Sequence, residues 1–162
     1  MPFERTRLVT QSLRFERVDQ ENLETFLELV EQYYAFDGIP FEPEVVRRAA
    51  LELIETPAFG HAWLIVDADK VVGHFVLALG FDLEFGGRQA TVTELFLEPS
   101  ARGRGIGRAT LAFVEATLIG LGIYALELQV EHDNLEAQAF YQRLGLEKQD
   151  RIPMSKRLVP AP

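Results

Sequence analysis

Cysteine is absent from the 162 residues. Disulfides, thiolate metal sites and an acyl-enzyme formed through sulfur are therefore excluded. No Gly-Lys dipeptide occurs either, which removes the P-loop and the nucleotide chemistry that depends on it. Basic charge is scarce: 16 Lys and Arg stand against 25 Asp and Glu, a formal net charge of −9. A phosphate backbone demands a basic face, so nucleic acid is not an expected partner. The acidic balance suits a cationic substrate such as an amine, and it also serves solubility. Long apolar runs are missing as well. The most deceptive stretch, residues 109–126, is broken by Glu115, Gly120 and Gly122, and reads as a helix followed by a strand, not a membrane span. Met1-Pro2-Phe3-Glu4-Arg5 lacks the basic-then-apolar pattern of a signal segment, so a cytoplasmic protein with no membrane partner is expected. The three histidines, His61, His74 and His132, share no metal-ligand spacing; no metal is expected, and each reads as structural.

What is present fits one ordinary soluble domain spanning residues 1–162, with 48% hydrophobic and 25% charged residues. After a short polar start, Leu13, Phe15 and Val18 read as a half-buried strand. Leu23, Phe26, Leu27, Val30, Tyr33 and Tyr34 then recur at helical spacing, and residues 35–41 read as a loop. A second helix is expected to start near Pro43. Residues 61–66 and 71–81 read as strands joined by a turn at Asp67-Ala68-Asp69-Lys70, and Gly86-Gly87 turns the chain into a strand over 89–97. A helix over 105–121, a strand over 124–130, a helix over 135–144 and one or two edge strands over 147–158, interrupted by Pro153, complete the order β-α-α-β-β-β-α-β-α-β. That order predicts an α/β fold with a mixed sheet and crossover helices.

The most informative segment runs from Glu94 to Gly107, where an apolar strand passes through Pro99 into Arg102-Gly103-Arg104-Gly105-Ile106-Gly107. Glycines allow close approach of backbone N–H groups, and a helix opening near Gly105 aims its unpaired N–H groups and positive dipole end at the same place. Arg102, Arg104 and Arg108 add charge, although arginine at a helix N-terminus opposes the dipole by a few tenths of a kcal/mol or more. An anion explains that choice. The dinucleotide fingerprint is not it: counting G-x-G-x-x-G from Gly103 or Gly105 puts Arg108 or Thr110 at the last glycine.

Arg102-x-x-Gly105-x-Gly107 resembles the [Q/R]-x-x-G-x-[G/A] pyrophosphate loop of the GCN5-related N-acetyltransferases, the GNAT family. Downstream, Asn134-x-x-Ala137-x-x-x-Tyr141-x-x-x-Gly145-Leu146 is similar to that family's N-x-x-A-x-x-x-Y-x-x-x-G-F motif, with Leu146 in place of Phe. The resemblance is clear from about Val92 to Leu146. It implies a single-domain, mostly antiparallel central sheet flanked by helices, with acetyl-CoA as co-substrate. The implied cofactor contacts are Phe96, Leu97, Arg102, Gly103, Arg104, Gly105, Ile106, Gly107 and Arg108, joined by Asn134 and Tyr141.

On its residues alone, Tyr141 reads as a packed core tyrosine; the resemblance puts its hydroxyl near the thioester sulfur, where it can protonate the departing thiolate. Asn134 is either a helix cap or a cofactor contact. Asp133 and Glu136 already form a D-x-x-E capping box, which would leave Asn134 free for a ligand. Glu94, a carboxylate on an apolar strand, is either edge-exposed or functional, and the resemblance offers it as the base that takes the amine proton. Several family members carry that glutamate a few residues earlier, at positions held here by Thr91 or Thr93, which leaves the face of Glu94 open. Glu84 is the reserve. Tyr33, Tyr34, Phe36 and Phe41 pack the core or, as the resemblance implies, wall the acceptor site. The N–H of Leu97 at the strand end is the expected oxyanion donor. The predicted activity is transfer of acetyl to a small primary amine in a ternary complex. The alternatives are a peptide or protein acetyltransferase, a non-catalytic acyl-CoA-binding module and a phosphate-binding interaction domain; a homodimer is left open.

Overall fold

The computed structural model describes residues 12–158, so the polar N-terminal segment lies outside the described residues. The chain divides into two compact units, one ending at Leu128 and one starting at Gln129.

The first unit is built on a five-stranded sheet in sequential order: β1 (Leu13–Arg17), β2 (Gly60–Asp67), β3 (Lys70–Asp82), β4 (Gly87–Leu97) and β5 (Ala125–Leu128). The first four strands are antiparallel neighbours, and β5 runs parallel to β4. A parallel neighbour cannot be reached by a hairpin, so α3 (Ile106–Gly120) makes the crossover. Helices α1 (Leu23–Asp37) and α2 (Pro43–Glu55) fill the connection between β1 and β2. Pro43 occupies the first turn of α2, where its missing N–H costs nothing. Helix α1 continues through Ala35, Phe36 and Asp37, three residues read from the sequence as loop, and stops only where Gly38 adopts φ +67°. The β2–β3 turn places Ala68 and Asp69 at φ +47° and +66°, the left-handed pair that a two-residue hairpin requires.

Both faces of the sheet are covered. Trp63, Ile65, Phe75, Leu77, Ala90 and Val92 pack with Ile106, Val114 and Leu118 of α3. The other face joins Leu64, Val66 and Phe96 to Phe26, Leu27 and Val30 of α1 and Ala50 of α2. Alternation along β2 divides its side chains between these two cores. Trp63 stacks on Phe75 with centroids 4.9 Å apart, and Phe15 stacks on Phe113 at 4.3 Å, tying the edge strand β1 to α3. Phe75 is fully buried; truncating it to Ala would cost about 3–5 kcal/mol.

Strand β4 breaks its own alternation. Val92 pairs with Leu77 and Glu94 with Val76, which leaves Thr93 as the extra residue of a β-bulge. Ahead of the bulge Ala90 and Val92 face α3; beyond it Glu94 and Phe96 face α1.

In the second unit, α4 (Leu135–Arg143) is the regular element among the described residues. Its N-cap is Asn134, whose Oδ1 accepts a hydrogen bond from the Ala137 N–H at 3.1 Å. The Asp133–Glu136 capping box expected from the sequence does not form, because α4 starts one residue later and puts Ala137, not Glu136, at the third helical position. The strands expected over 147–158 are also absent from these described residues. The run Glu147-Lys148-Gln149-Asp150-Arg151 offers no apolar alternation, and Pro153 cannot donate to a ladder.

Candidate active site

At the end of β4 the backbone itself supplies a donor. The Glu98 N–H donates to the Val72 carbonyl at 2.8 Å, which makes Val72 and Glu98 a hydrogen-bonded pair. Its neighbour Leu97, paired with Gly73, is then non-hydrogen-bonded to β3, and its N–H and C=O point to the opposite side. That is the side of β5, whose pairing with β4 ends at Val92–Leu128. The Leu97 N–H is therefore directed to the open end of the two parallel strands.

A short 3-10 turn, Pro99–Ala101, leads from β4 to the glycine-rich loop. Gly103 and Gly105 adopt φ +72° and +81°, a left-handed conformation that only glycine enters without strain. A Cβ built at either glycine would meet no atom of this unit within 4 Å, so the loop faces open space. Gly105 is the N-cap of α3, with no side chain capping it, and the first intrahelical bond runs from the Ala109 N–H to the Gly105 carbonyl. The N–H groups of Gly105, Ile106, Gly107 and Arg108 thus lack intrahelical acceptors and are available to an anion.

The arginines divide their work. Arg102 turns back on the strand end: its Nε donates to the Leu97 carbonyl at 3.0 Å, and its guanidinium lies 4.5 Å from the centre of the Phe36 ring. Arg104 pairs with Asp67, Nη2 to Oδ2 at 2.7 Å, and the Ser12 hydroxyl donates to the other carboxylate oxygen at 2.7 Å. The loop contains no acidic residue, yet β2 supplies one. Arg108 is exposed in the first turn of α3. The side chains of Phe96 and Ile106 are buried in the two cores, so at these positions only the backbone is free to meet a ligand.

Glu94 lies at the centre of a second cluster. The Tyr34 hydroxyl donates to Glu94 Oε1 at 3.3 Å, and His74 Nε2 lies 2.8 Å from Oε2. His74 pairs with Phe96 across the β3–β4 ladder, diagonal to Glu94 and on the same face. It is fully buried, with Phe26 and Tyr33 edge-on to its ring at 5.3 and 6.0 Å. Tyr33, Tyr34 and Phe41 continue the aromatic surface through edge-to-face contacts. Burial, reinforced by the negative charge of Glu94, pushes the Tyr34 phenol up to about 12. The Tyr33 phenol is raised further, by burial first and then by Asp37. Both therefore stay protonated as donors across neutral pH.

Tyr33, Tyr34 and Glu94 are thus brought together, whereas Phe36 is exposed and lies against the Arg102 guanidinium. Glu84 is not among them. It lies on the turn between β3 and β4, roughly 20 Å along the hairpin from Glu94 at about 3.3 Å per residue. His74 belongs to the cluster although its sequence context marked it only as structural. The available signal was parity: a polar ring on the inward face of an apolar strand needs a polar partner. A shallow cleft of about 560 Å³ lined by His61, Phe81, Arg88 and Gln89 opens near the start of β4 and contains none of these residues.

In the second unit, Tyr141 lies on α4, its ring edge-on to Phe140 at 5.2 Å, and burial raises its phenol above the ordinary value. Asn134 commits its oxygen to the cap and keeps its amide N–H groups for another partner. Among the described residues no group of three or more His, Asp or Glu is arranged to hold a metal, and no helix is long and apolar enough to cross a membrane.

An open glycine-rich loop at the N-terminus of a crossover helix thus follows directly on a strand that carries a hydrogen-bonded carboxylate. The acetyltransferase (GNAT) family model matches residues 20–146, and the chain belongs to that family of acetyl-CoA-dependent enzymes. Solved structures agree in fold. An integron cassette protein from the mobile metagenome of Cole Harbour Salt Marsh is 29% identical, with a TM-score of 0.79 over 90% of this chain and 91% of its own. A possible acetyltransferase from Clostridium difficile 630 gives 16% identity and a TM-score of 0.78, covering 92% and 99%. The aminoglycoside N-acetyltransferase AAC(6')-Iy, solved in complex with CoA, gives 15% and 0.78, covering 91% and 95%.

Proposed function

We propose that this acetyltransferase moves an acetyl group from acetyl-CoA to a small primary amine by direct attack in a ternary complex, within a single domain to which both units belong. The observation that carries the reading is the placement of Glu94: a hydrogen-bonded carboxylate on an aromatic surface, on the same strand whose end presents the Leu97 N–H and opens into the anion loop.

The loop fits a diphosphate. Gly103 and Gly105 carry no side chain into the space it faces, and four N–H groups at the start of α3 are available to the anion, with Arg108 beside them. Arg102 and Arg104 shape the loop more than they bind, since one holds the Leu97 carbonyl and the other holds Asp67. The bound co-substrate contributes an activated thioester. The chain's own groups do the rest: the aromatic faces of Tyr34 and Phe41 and the charge of Glu94 attract an ammonium, and Glu94 removes its proton, directly or through water. The Leu97 N–H is placed to hold the negative charge that develops on the carbonyl oxygen as the C–N bond forms, at no reorganisation cost. As the C–S bond breaks, the Tyr141 hydroxyl hands its proton to the thiolate, and the second proton that the nitrogen sheds on becoming an amide returns through water to the phenolate. The raised pKa of Tyr141 keeps its proton in place until then.

The net charge of −9 and the cluster of Tyr33, Tyr34 and Glu94 support a cationic acceptor with an apolar body. Relatives of the same fold named aminoglycoside acetyltransferases are in keeping with a small-molecule amine. The test is a screen of small amines, amino acids and peptides by free-thiol release. Turnover with small amines supports the reading; activity confined to peptides or proteins overturns the acceptor class. Calorimetric titration with acetyl-CoA, CoA and ADP tests the donor, and equal affinity for ADP and acetyl-CoA would sink it.

A further inference from the structure

We propose that His74 is the positioning residue of this site: its Nε2–H holds the Glu94 carboxylate in one orientation, ready for the amine proton. The inference rests on the reading of Glu94 as the base.

His74 is fully buried on β3, and its ring is fixed by three aromatic neighbours: Phe26 and Tyr33 edge-on, and Phe96 tilted at 43° with centroids 6.0 Å apart. A ring so enclosed can turn neither toward solvent nor about its own axis without displacing core side chains. Its Nε2 lies 2.8 Å from Glu94 Oε2. An ionised carboxylate only accepts hydrogen bonds, so Nε2 carries the hydrogen. The other ring nitrogen, Nδ1, is buried without a partner among the described residues. As part of an imidazolium, Nδ1 would be an unpaired cationic donor in the core, whereas in the neutral ring it is only an unpaired lone pair, which costs far less. The geometry selects the neutral Nε2–H tautomer.

An unpaired buried nitrogen is a standing cost that Leu or Phe at position 74 would avoid. The return is control of Glu94 from two independent elements, with Tyr34 of α1 on one oxygen and His74 of β3 on the other. Gly73 assists: a Cβ there would lie 2.2 Å from the Phe96 carbonyl oxygen, so only glycine lets β3 run this close to β4 beside the pair. Leu, Met or Thr at position 74 would leave one carboxylate oxygen facing apolar rings.

The titratable groups facing Glu94 are Tyr33 and Tyr34 from α1 and His74 from β3. Removing the histidine donor disfavours the ionised carboxylate. In His74→Phe, which keeps the ring volume, kcat falls roughly 10- to 100-fold, the acidic limb of the pH–rate profile moves to higher pH, and the KM for acetyl-CoA is unchanged. His74→Gln, which returns an N–H donor at similar reach, recovers most of the turnover and restores the limb. Wild-type kcat and profile in the Phe variant overturn the proposal, as does a Gln variant no better than Phe. Nitrogen-15 spectra of the wild-type ring decide the tautomer without any substitution or turnover: hydrogen on Nε2 at neutral pH is expected, and an Nδ1–H ring or an imidazolium overturns the assignment. Glu94→Gln with wild-type turnover and an intact acidic limb overturns the reading of Glu94 as base, an outcome read on a different variant from those that test His74.

Discussion

Val92 and Glu94, two residues apart on one strand, face opposite sides of the sheet, because Thr93 between them is the extra residue of a bulge and takes no place in the β3–β4 register. An unbulged strand would put both on the α3 side, where Glu94 would be an unpaired carboxylate among Ile106, Val114 and Leu118. The bulge instead turns it toward Tyr34 and His74.

From this placement Glu94→Gln should keep the fold and lose the base. The amide retains the shape and can still accept from His74, so thermal stability changes little. Turnover is expected to fall by roughly 10²- to 10⁴-fold, the usual worth of general base catalysis. The acidic limb of the wild-type pH–rate profile, where the carboxylate must give up its proton before it can act, should vanish. Rates measured against pH check this, and a surviving limb would move the base to water or to another carboxylate.

The order of elements as far as α4 and the glycine-rich turn into α3 were legible in the sequence because they depend on local rules: period 3.6 in α1 and α3, period 2 in β2, Pro at a helix start, glycine where φ is positive. The limits of that legibility are equally physical. Which way Glu94 points depends on one unpaired residue, and a bulge at Thr93 leaves no mark in composition or periodicity. His74 looked structural because its partner lies 20 positions away and the diagonal contact exists only once β3 and β4 are in register. Asn134 and Asp133 compete for the same cap with side chains of the same type, and helix starts are uncertain by a residue in any sequence reading. The segment 147–158 was assigned strands on scattered apolar residues, and its charged run prevails.

For Gly105→Glu the expectation is loss of acetyl-CoA binding in a protein that still folds. The new carboxylate would stand in the space the loop faces and repel the diphosphate. At φ +81° any side chain also costs about 1–2 kcal/mol, so Gly105→Ala separates the two effects: it should pay the strain while weakening binding far less. Calorimetry on both variants gives the comparison, and unchanged affinity in the Glu variant would mean that the loop does not hold the co-substrate.

Asp67 offers a test through stability. Its carboxyl is held below the usual value, first by the Ser12 hydroxyl and then by Arg104. A group whose folded-state pKa is depressed contributes stability above its unfolded value and loses it as pH falls through the folded one. Wild-type stability should therefore decline below about pH 4, the ordinary aspartate range, and Asp67→Asn, which lacks that titration, should decline less. Melting temperatures of the two proteins should converge as the solution is acidified. A constant gap between them at every pH would show that the Arg104 pair does not depend on charge.

Tyr141→Phe removes one hydroxyl and little volume, so it tests chemistry with almost no structural cost. If the phenol protonates the departing thiolate, turnover falls roughly 10- to 1000-fold while the KM for acetyl-CoA holds. The pH dependence is a sharper probe. Burial raises the Tyr141 phenol above its ordinary value of 10, so the donor form persists further into alkaline solution than a free tyrosine would allow. Wild-type kcat should accordingly show no fall below about pH 10 from this group, and the variant should lack whatever fall appears above it. A free thiol is itself close to half ionised near pH 8.5, so at high pH the thiolate leaves without help and the gap between wild type and variant should narrow. A mutant with full kcat at neutral pH would return Tyr141 to a packing role, and the thiolate would then take its proton from water.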